Sequence, residues 1–385
     1  MSTSPTGRLT YLDQFRGYTI LGMILVNYLG DIPKHIHPVL RHHSTYCSYA
    51  DTIMPQFFFA VGFALRFTMV KRLRTEGWWP AHGRVVKRVL ALLMIAAIVH
   101  GFDNVKMSWD ILCEQGIWQW MKQCCSRSFF QTLTHIAVTT LWVLPVIGAR
   151  WPVRLIWLIA SAWLHIVLSQ EFYLKFVFTG EVIDGGPLGF LTWTIPVLVG
   201  SFASDFMTQP VVKRPISTLL LAGGLVMAVG YAFSCLQSPP AEAGHILPTW
   251  HWAVPPFMPP FDPDRPGATY AERHNIKREK VITLWSMSQK SGSVSYLTFG
   301  AGFSLAVLAL CVFLFRDGRE FGLFRTLGSN ALVAYIIHGM TIDAVVKVLP
   351  KDSPLVVVLA GLAIVVGVTW LICRWLEKQG WYVRV

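Results

Sequence analysis

Four histidines, His35, His37, His42 and His43, fall in one short turn together with Lys34, Arg41, Ser44, Thr45, Tyr46 and Cys47. The apolar run before this turn carries Asp13 and Arg16 at its start and Asn27 and Asp31 at its finish, and the apolar run after it is entered through Asp51 and Pro55. Histidine titrates near neutral pH, so a cluster of histidines beside carboxylates can bind or carry a proton. Other polar residues interrupt apolar runs further along: Gln131 and His135 at the opening of one, Asn330 and His338 within another. A polar side chain at membrane depth is costly unless it faces a partner or a water-filled cavity, which makes each of these a site candidate. Each also has a plainer reading as interhelical hydrogen bonding or as a helix end at the headgroups. Asp13 and Arg16 read equally well as an i,i+3 pair at the interface, and Thr10 with Asp13 resembles a capping box.

The elements that must position these residues are hydrophobic helices. Of the residues, 54% are hydrophobic and only 14% charged, with a mean hydropathy of +0.48, which is outside the range of ordinary soluble domains and expected of a polytopic membrane protein. Sixteen Trp and eleven Tyr fit the enrichment of these rings at membrane interfaces. The net charge of +12 raises a nucleic-acid partner, but the cations are spread over short segments between apolar runs, as topology determinants are, so nucleic acid is set aside. Runs long enough to cross a hydrocarbon core fall near 14–31, 50–70, 87–102, 129–148, 152–169, 189–206, 216–235, 293–315, 327–348 and 354–376. The expected fold is an all-α transmembrane bundle of about ten helices, a single domain over 1–385. No cleavable signal peptide is evident before the first run, and no sustained repeat supports a transporter of two inverted halves.

Lysine and arginine placement orients the bundle. With the N-terminus inside, the inner segments hold Lys71, Arg72, Arg74, Arg84, Lys87, Arg88, Arg150, Lys213, Arg214 and Arg319 among others, a clear excess over the short outer loops. Both termini are then inside, and the histidine turn and a long insertion over 236–292 are outside. The PPFMPPFDPDRPG stretch of that insertion should be extended rather than helical. Seven cysteines show no zinc spacing, so no metal is expected. A link from Cys113 to Cys124 or Cys125 is open if that loop meets an oxidising compartment, with unpaired cysteines the alternative.

LDQFRGYTILGMILVNYLGD, the histidine turn and ADTIMPQFFFAVG together resemble the start of the catalytic membrane domain of the heparan-α-glucosaminide N-acetyltransferase family, with its Asp-x-Phe-Arg-Gly, Val-Asn-Tyr and Ala-Asp patterns. DGGPLGFLTWTIPVLVGSFASD looks like the family's Glu-Gly-x-Leu-Gly helix. ITLWSMSQKSGSVSYLTFGAG, with Trp285 and Ser288, looks like its Leu-Trp-Ser-x-Ser segment, and LGSNALVAYIIHGM looks like its Met-Asn-x-x-x-x-Tyr-x-x-His helix. The large luminal domain and extra helix of the lysosomal enzyme have no counterpart, so the resemblance is to a bacterial-type, catalytic-domain-only member. It implies a multi-pass protein of the cytoplasmic (inner) membrane. Such a protein moves an acetyl group from cytosolic acetyl-CoA to the amine of an amino sugar or glycan outside; a homodimer is a further expectation.

The family's essential Asn corresponds to Asn27, within VNY. Its essential His corresponds to a residue of RHHSTYC, either His42, the first choice, or His43; the Trp-Asn-Gly that follows it in the family is replaced by Thr45, Tyr46 and Cys47. A histidine could take the proton an amine loses on attacking the thioester, with the Asn27 amide facing the oxyanion, or could itself form an acetyl-imidazole. Asp51, Asp13, Arg16, Gln131, His135, Trp285, Ser288, Asn330 and His338 are the expected lining or supporting residues. Lys71, Arg72, Arg84, Arg88, Lys213 and Arg214 are available for the phosphates of CoA. Rival readings are an O-acyltransferase acting on a periplasmic polysaccharide hydroxyl, a transporter of a glycan precursor and a structural membrane protein.

Overall fold

The structure is a computed structural model that describes residues 9–32, 37–100, 109–110, 113–114, 116–118, 129–179, 182–209, 212, 214–237, 249–250, 252–258, 283–315, 318–350 and 352–383. Lys34, His35, Cys124, Cys125, Lys213 and most of the proline-rich stretch lie outside these residues. In chain order the helices are α1 (Thr10–Gly30), α2 (Tyr49–Thr75), α3 (Trp78–His100), α4 (Thr132–Ile147), α5 (Trp151–Leu168), α6 (Leu174–Thr179), α7 (Phe190–Met207), α8 (Pro215–Ser234), α9 (Val294–Phe315), α10 (Gly322–Ser329), α11 (Ala331–Val348) and α12 (Leu355–Lys378). One π-helical turn, Ser169–Tyr173, joins α5 to α6. The described residues are otherwise helical or irregular, apart from an antiparallel pairing of Leu236–Gln237 with Thr249–Trp250.

Every expected apolar run coincides with helix over most of its described length, and one of them, 327–348, is broken at Asn330 into α10 and α11. Among the described residues, seven helical stretches are long and apolar enough to cross a membrane: α2, α5 with α6, α7, α8, α9, α11 and α12. Burial sorts them. The apolar windows of α2, α7 and α9 are 61%, 72% and 67% buried, those of the other four 17–22%. The first three form the interior of the bundle, and the rest turn exposed apolar faces such as Leu221, Leu225, Val356 and Ile364 outward.

Glycine permits the closest internal contact. A Cβ on Gly62 of α2 would land on the Val197 carbonyl of α7, and one on Gly200 of α7 would land on the Phe59 carbonyl of α2. Two small residues at these positions let the backbones touch, as membrane helices commonly do. Around that seam Phe58, Trp193, Tyr296 and Phe299 join one core cluster, with the Phe58 and Trp193 rings stacked at 4.4 Å.

At the bundle end where α1 begins, Asp13 packs against Gly328 of α10, and Thr326 of α10 bonds Glu377 of α12 at 2.8 Å. At the other end of α1, Tyr28 donates to the Val358 carbonyl near the start of α12 (3.0 Å). The turn residues 37–48 and the first residues of α2, α7 and α9 gather at that second end. The capping box expected at Thr10 and Asp13 does not form: the N-cap of α1 is Leu9, without a side-chain cap, and Asp13 pairs with Arg16 at 3.7 Å. The capping box is at α2, between Ser48 and Asp51.

Candidate active site

Asp51 is placed by local sequence. Ser48 caps α2 by accepting from the Asp51 amide (3.3 Å), and Asp51 Oδ2 accepts from the Ser48 amide and hydroxyl, both at 2.9 Å. The His43 amide reaches the same oxygen at 3.4 Å. Two satisfied orphan amides fix the carboxylate at the first turn. Its other oxygen, Oδ1, lies 2.9 Å from Nδ1 of His42. Tyr296 of α9 donates to the Asp51 carbonyl at 2.7 Å and ties this helix start to the interior.

The two adjacent histidines part here. His42 is held by Asp51 and keeps 49% of its side chain accessible. His43 instead points Nε2 at the Pro38 carbonyl (2.9 Å) and stacks on Tyr46 at 4.4 Å, so it folds the turn. Their electrostatics diverge accordingly. Burial works against charge on His42, but the hydrogen bond and charge of Asp51, the charge of Asp184 and a hydrogen bond with Gln289 outweigh it, raising its pKa above the ordinary histidine value. Burial dominates at His43 and lowers its pKa, only partly offset by the Pro38 carbonyl.

Asp184 and Gln289 complete this cluster and are absent from the sequence expectation. Asp184 is 8% exposed and adopts a left-handed φ of 54°, followed by Gly185 at 84° and Gly186 at 58°. Asp tolerates that region better than most residues, and the glycines that follow make the turn possible. Gly185 packs back to back with Gly292 so closely that a Cβ would come within 3.2 Å of the opposing Cα. The Gly185 amide also donates to the Lys290 carbonyl at 3.0 Å. Gln289, on that second turn, donates from Nε2 to Asp184 Oδ1 at 2.9 Å. Burial drives the Asp184 carboxyl up to about 6, against the pull of the Gln289 bond and of His42. The Gly-Gly pair after Asp184 was the available signal; nothing in the sequence marks Gln289.

Asn27 and His338 meet across α1 and α11, with Asn27 Nδ2 3.1 Å from His338 Nε2. His338 Nδ1 bonds the Tyr335 carbonyl, which leaves Nε2 to accept from the Asn27 amide. Tyr335 links the two groups: its ring is 5.6 Å from that of His338, and it feels the charge of Asp184.

Other expected residues take supporting or separate places. His135 is buried beside Trp193, whose indole donates to the Asp184 carbonyl at 2.8 Å, so it backs the site. Ser288 accepts from the Ser291 amide (3.3 Å) and Trp285 from the Ser295 hydroxyl (2.7 Å); both shape the turn that carries Gln289. Gln131 only precedes α4, making no side-chain cap. Asn330 is fully buried and accepts from the Val383 amide (3.2 Å), beyond the end of α12; it lies with the start of α1, away from His42. Asp13 and Arg16 belong to that far end too.

Among the expected CoA ligands, Arg88 lies within electrostatic range of Arg72 and of Arg16. Arg84 pairs with Glu76 at 3.2 Å, Lys71 is exposed, and Arg214 stands at the start of α8. The convergent set is thus Arg16, Arg72 and Arg88.

Apolar helices around a buried interior, with a carboxylate–histidine pair and a second carboxylate gathered at one end, define a multi-pass membrane protein. The family model for heparan-alpha-glucosaminide N-acetyltransferase, catalytic, matches residues 8–232, and the chain belongs to that family. No curated protein matches it. Membership implies an acetyltransferase, and the seven apolar helices make it a multi-pass membrane protein.

Proposed function

We propose that this protein transfers the acetyl group of acetyl-CoA, supplied from the cytoplasm, to the amine of an amino sugar or glycan on the outer side of the cytoplasmic membrane. The observation that carries this reading is the His42–Asp51 pair, 2.9 Å apart, with His42 still accessible. Ten crossings with both termini inside put this pair at the outer face and Arg16, Arg72 and Arg88 at the inner face. Those three cations suit the phosphates of CoA, since guanidinium groups bind phosphate through paired donors.

In this reading Asp51 holds the His42 ring with Nδ1–H toward the carboxylate, leaving Nε2 as the base that takes a proton from the attacking amine. Asn27, oriented by His338, offers an amide N–H to the oxyanion that forms as the carbonyl is attacked. The acceptor is an amine because that is the group the family acetylates.

The test is acetyl transfer by protein reconstituted in vesicles, with acetyl-CoA and glucosamine, reading the amide product and its resistance to hydroxylamine. His42→Ala is expected to cut turnover by roughly 10²-fold or more, and His43→Gln, which replaces a turn-folding residue, to keep most of it. Retention of full turnover by His42→Ala in folded protein would sink the assignment, and a hydroxylamine-labile product would make the enzyme an O-acyltransferase.

A further inference from the structure

Resting on the proposed transfer to an amine, the chemistry poses a problem that one histidine does not solve. An alkyl amine is protonated at neutral pH, in the range of an α-amino group or above. It must lose one proton to expose its lone pair and a second as the amide forms. Asp51 is not available for either. Its Oδ1 is taken by His42, and its Oδ2 by the Ser48 amide, the Ser48 hydroxyl and the His43 amide.

Asp184 differs. One of its oxygens accepts from Gln289 at 2.9 Å, and the other, Oδ2, accepts no hydrogen bond among the described residues. Gln289 also lies beside His42, where it helps to raise the histidine pKa, so the carboxylate and the imidazole stand on either side of one amide group. The left-handed turn, the Trp193 indole and the Gly185–Gly292 contact fix the position of Asp184. Strain held by surrounding structure is a common mark of a working position. The groups facing Asp184 are His42 and Asp51 from the turn and α2, Gln289 and Tyr296 from the α9 side, and Tyr335 from α11.

We propose that Asp184 is the second base of the site: it receives the acceptor as its ammonium and takes the first proton, and His42 takes the second. Asp184 carboxylate removes one N–H proton from R–NH3+, giving R–NH2 and the neutral acid. The freed lone pair forms a C–N bond to the thioester carbonyl, whose π electrons move to oxygen. His42 Nε2 removes a proton from the now cationic nitrogen, the oxyanion collapses, the C–S bond breaks, and the leaving thiolate takes that proton from His42. Asp184 releases its own proton to water, so the sum is R–NH3+ plus acetyl-CoA giving R–NHAc, CoA–SH and H+. A carboxyl near 6 can ionise at neutral pH and still accept a proton, as this cycle needs.

The experiment compares wild type, Asp184→Asn and His42→Ala on glucosamine and on p-anisidine, an arylamine that is neutral at pH 7. Thiol release is followed, and thermal unfolding in detergent confirms that each variant is folded. Asp184→Asn is expected to lose roughly 10²-fold on glucosamine and to stay within a few-fold of wild type on the arylamine. Its glucosamine rate should recover as pH is raised and the neutral amine fraction grows. His42→Ala should lose both activities. Equal losses by Asp184→Asn on the two acceptors, with no recovery at high pH, would overturn the proposal and leave Asp184 structural, as would unchanged rates on both. Transfer by wild type to neither amine would overturn the amine-transfer reading itself, and this inference with it.

Discussion

At the residue scale, adjacent side chains of one type do different work because of what each one touches. His42 meets a carboxylate oxygen and His43 a peptide carbonyl, 2.9 Å away in both cases. The carboxylate stabilises the imidazolium, so the pKa of His42 is raised, while His43 loses solvation without gaining a comparable partner. A base must be neutral to act, so the rate falls as pH drops through the raised His42 pKa. Asp51→Asn removes the negative charge and lowers that pKa. The acid limb of kcat/KM should therefore move to lower pH, with turnover down by roughly 10²-fold from loss of ring orientation. A limb that stays in place or moves upward would separate Asp51 from the chemistry. The same carboxylate also caps α2, and Asn at that position retains an oxygen for the Ser48 groups, so the variant should remain folded.

At the scale of the element, α2 is the part on which the site depends. Its first turn holds Asp51, its middle carries the Gly62 contact with α7, and further along Arg66 bonds Asp205 of α7 (2.7 Å) and the carbonyls of Ile147 and Ala149 (2.6 and 3.1 Å). Arg154 of α5, with no exposure, joins Asp205 and Ser201, so two guanidinium groups converge on one carboxylate. The α2–α7 seam is thus clamped at its far end and closed by glycine in its middle. Gly62→Val places branched carbons against the Val197 carbonyl, which is backbone and cannot rotate away. Overpacking of this kind costs about 1–3 kcal/mol or more, so a lowered thermal midpoint in detergent is expected. Because α7 follows directly on the Asp184 turn, activity should fall more than stability alone predicts. An unchanged midpoint would mean that the two helices are not in backbone contact.

For the whole molecule, the consequence is two stations at opposite ends of the bundle, Arg16 with Arg72 and Arg88 at one and His42 with Asp184 at the other. A ligand bound by the folded state alone stabilises it by mass action, by about 2.7 kcal/mol at a concentration of 100 times Kd. Acetyl-CoA and CoA should both raise the thermal midpoint saturably, ATP should not, and Arg72→Ala with Arg88→Ala should weaken the effect. No shift at millimolar acetyl-CoA in monodisperse protein would favour a transporter. Much of this was legible beforehand. The apolar runs established the membrane class and located the helices, since helix formation and hydrophobicity are local properties. The stretch from Asn27 to Asp51 stood out as the candidate site because it packs chemistry-bearing types into one turn. What local pattern could not supply was partnership. Gln289 meets Asp184 from 105 residues away, Tyr296 meets Asp51 from 245, and His338 meets Asn27 from 311. Asp13, Arg16 and Asn330 were expected beside the histidine turn, and the packing of α1 against α10 puts them at the opposite end of the bundle. Composition and periodicity determined what the chain is made of and that it lies in a membrane; only the packed bundle decided which histidine stays exposed on a carboxylate and which carboxylate keeps an oxygen without a partner among the described residues, because those depend on contacts between segments distant in sequence.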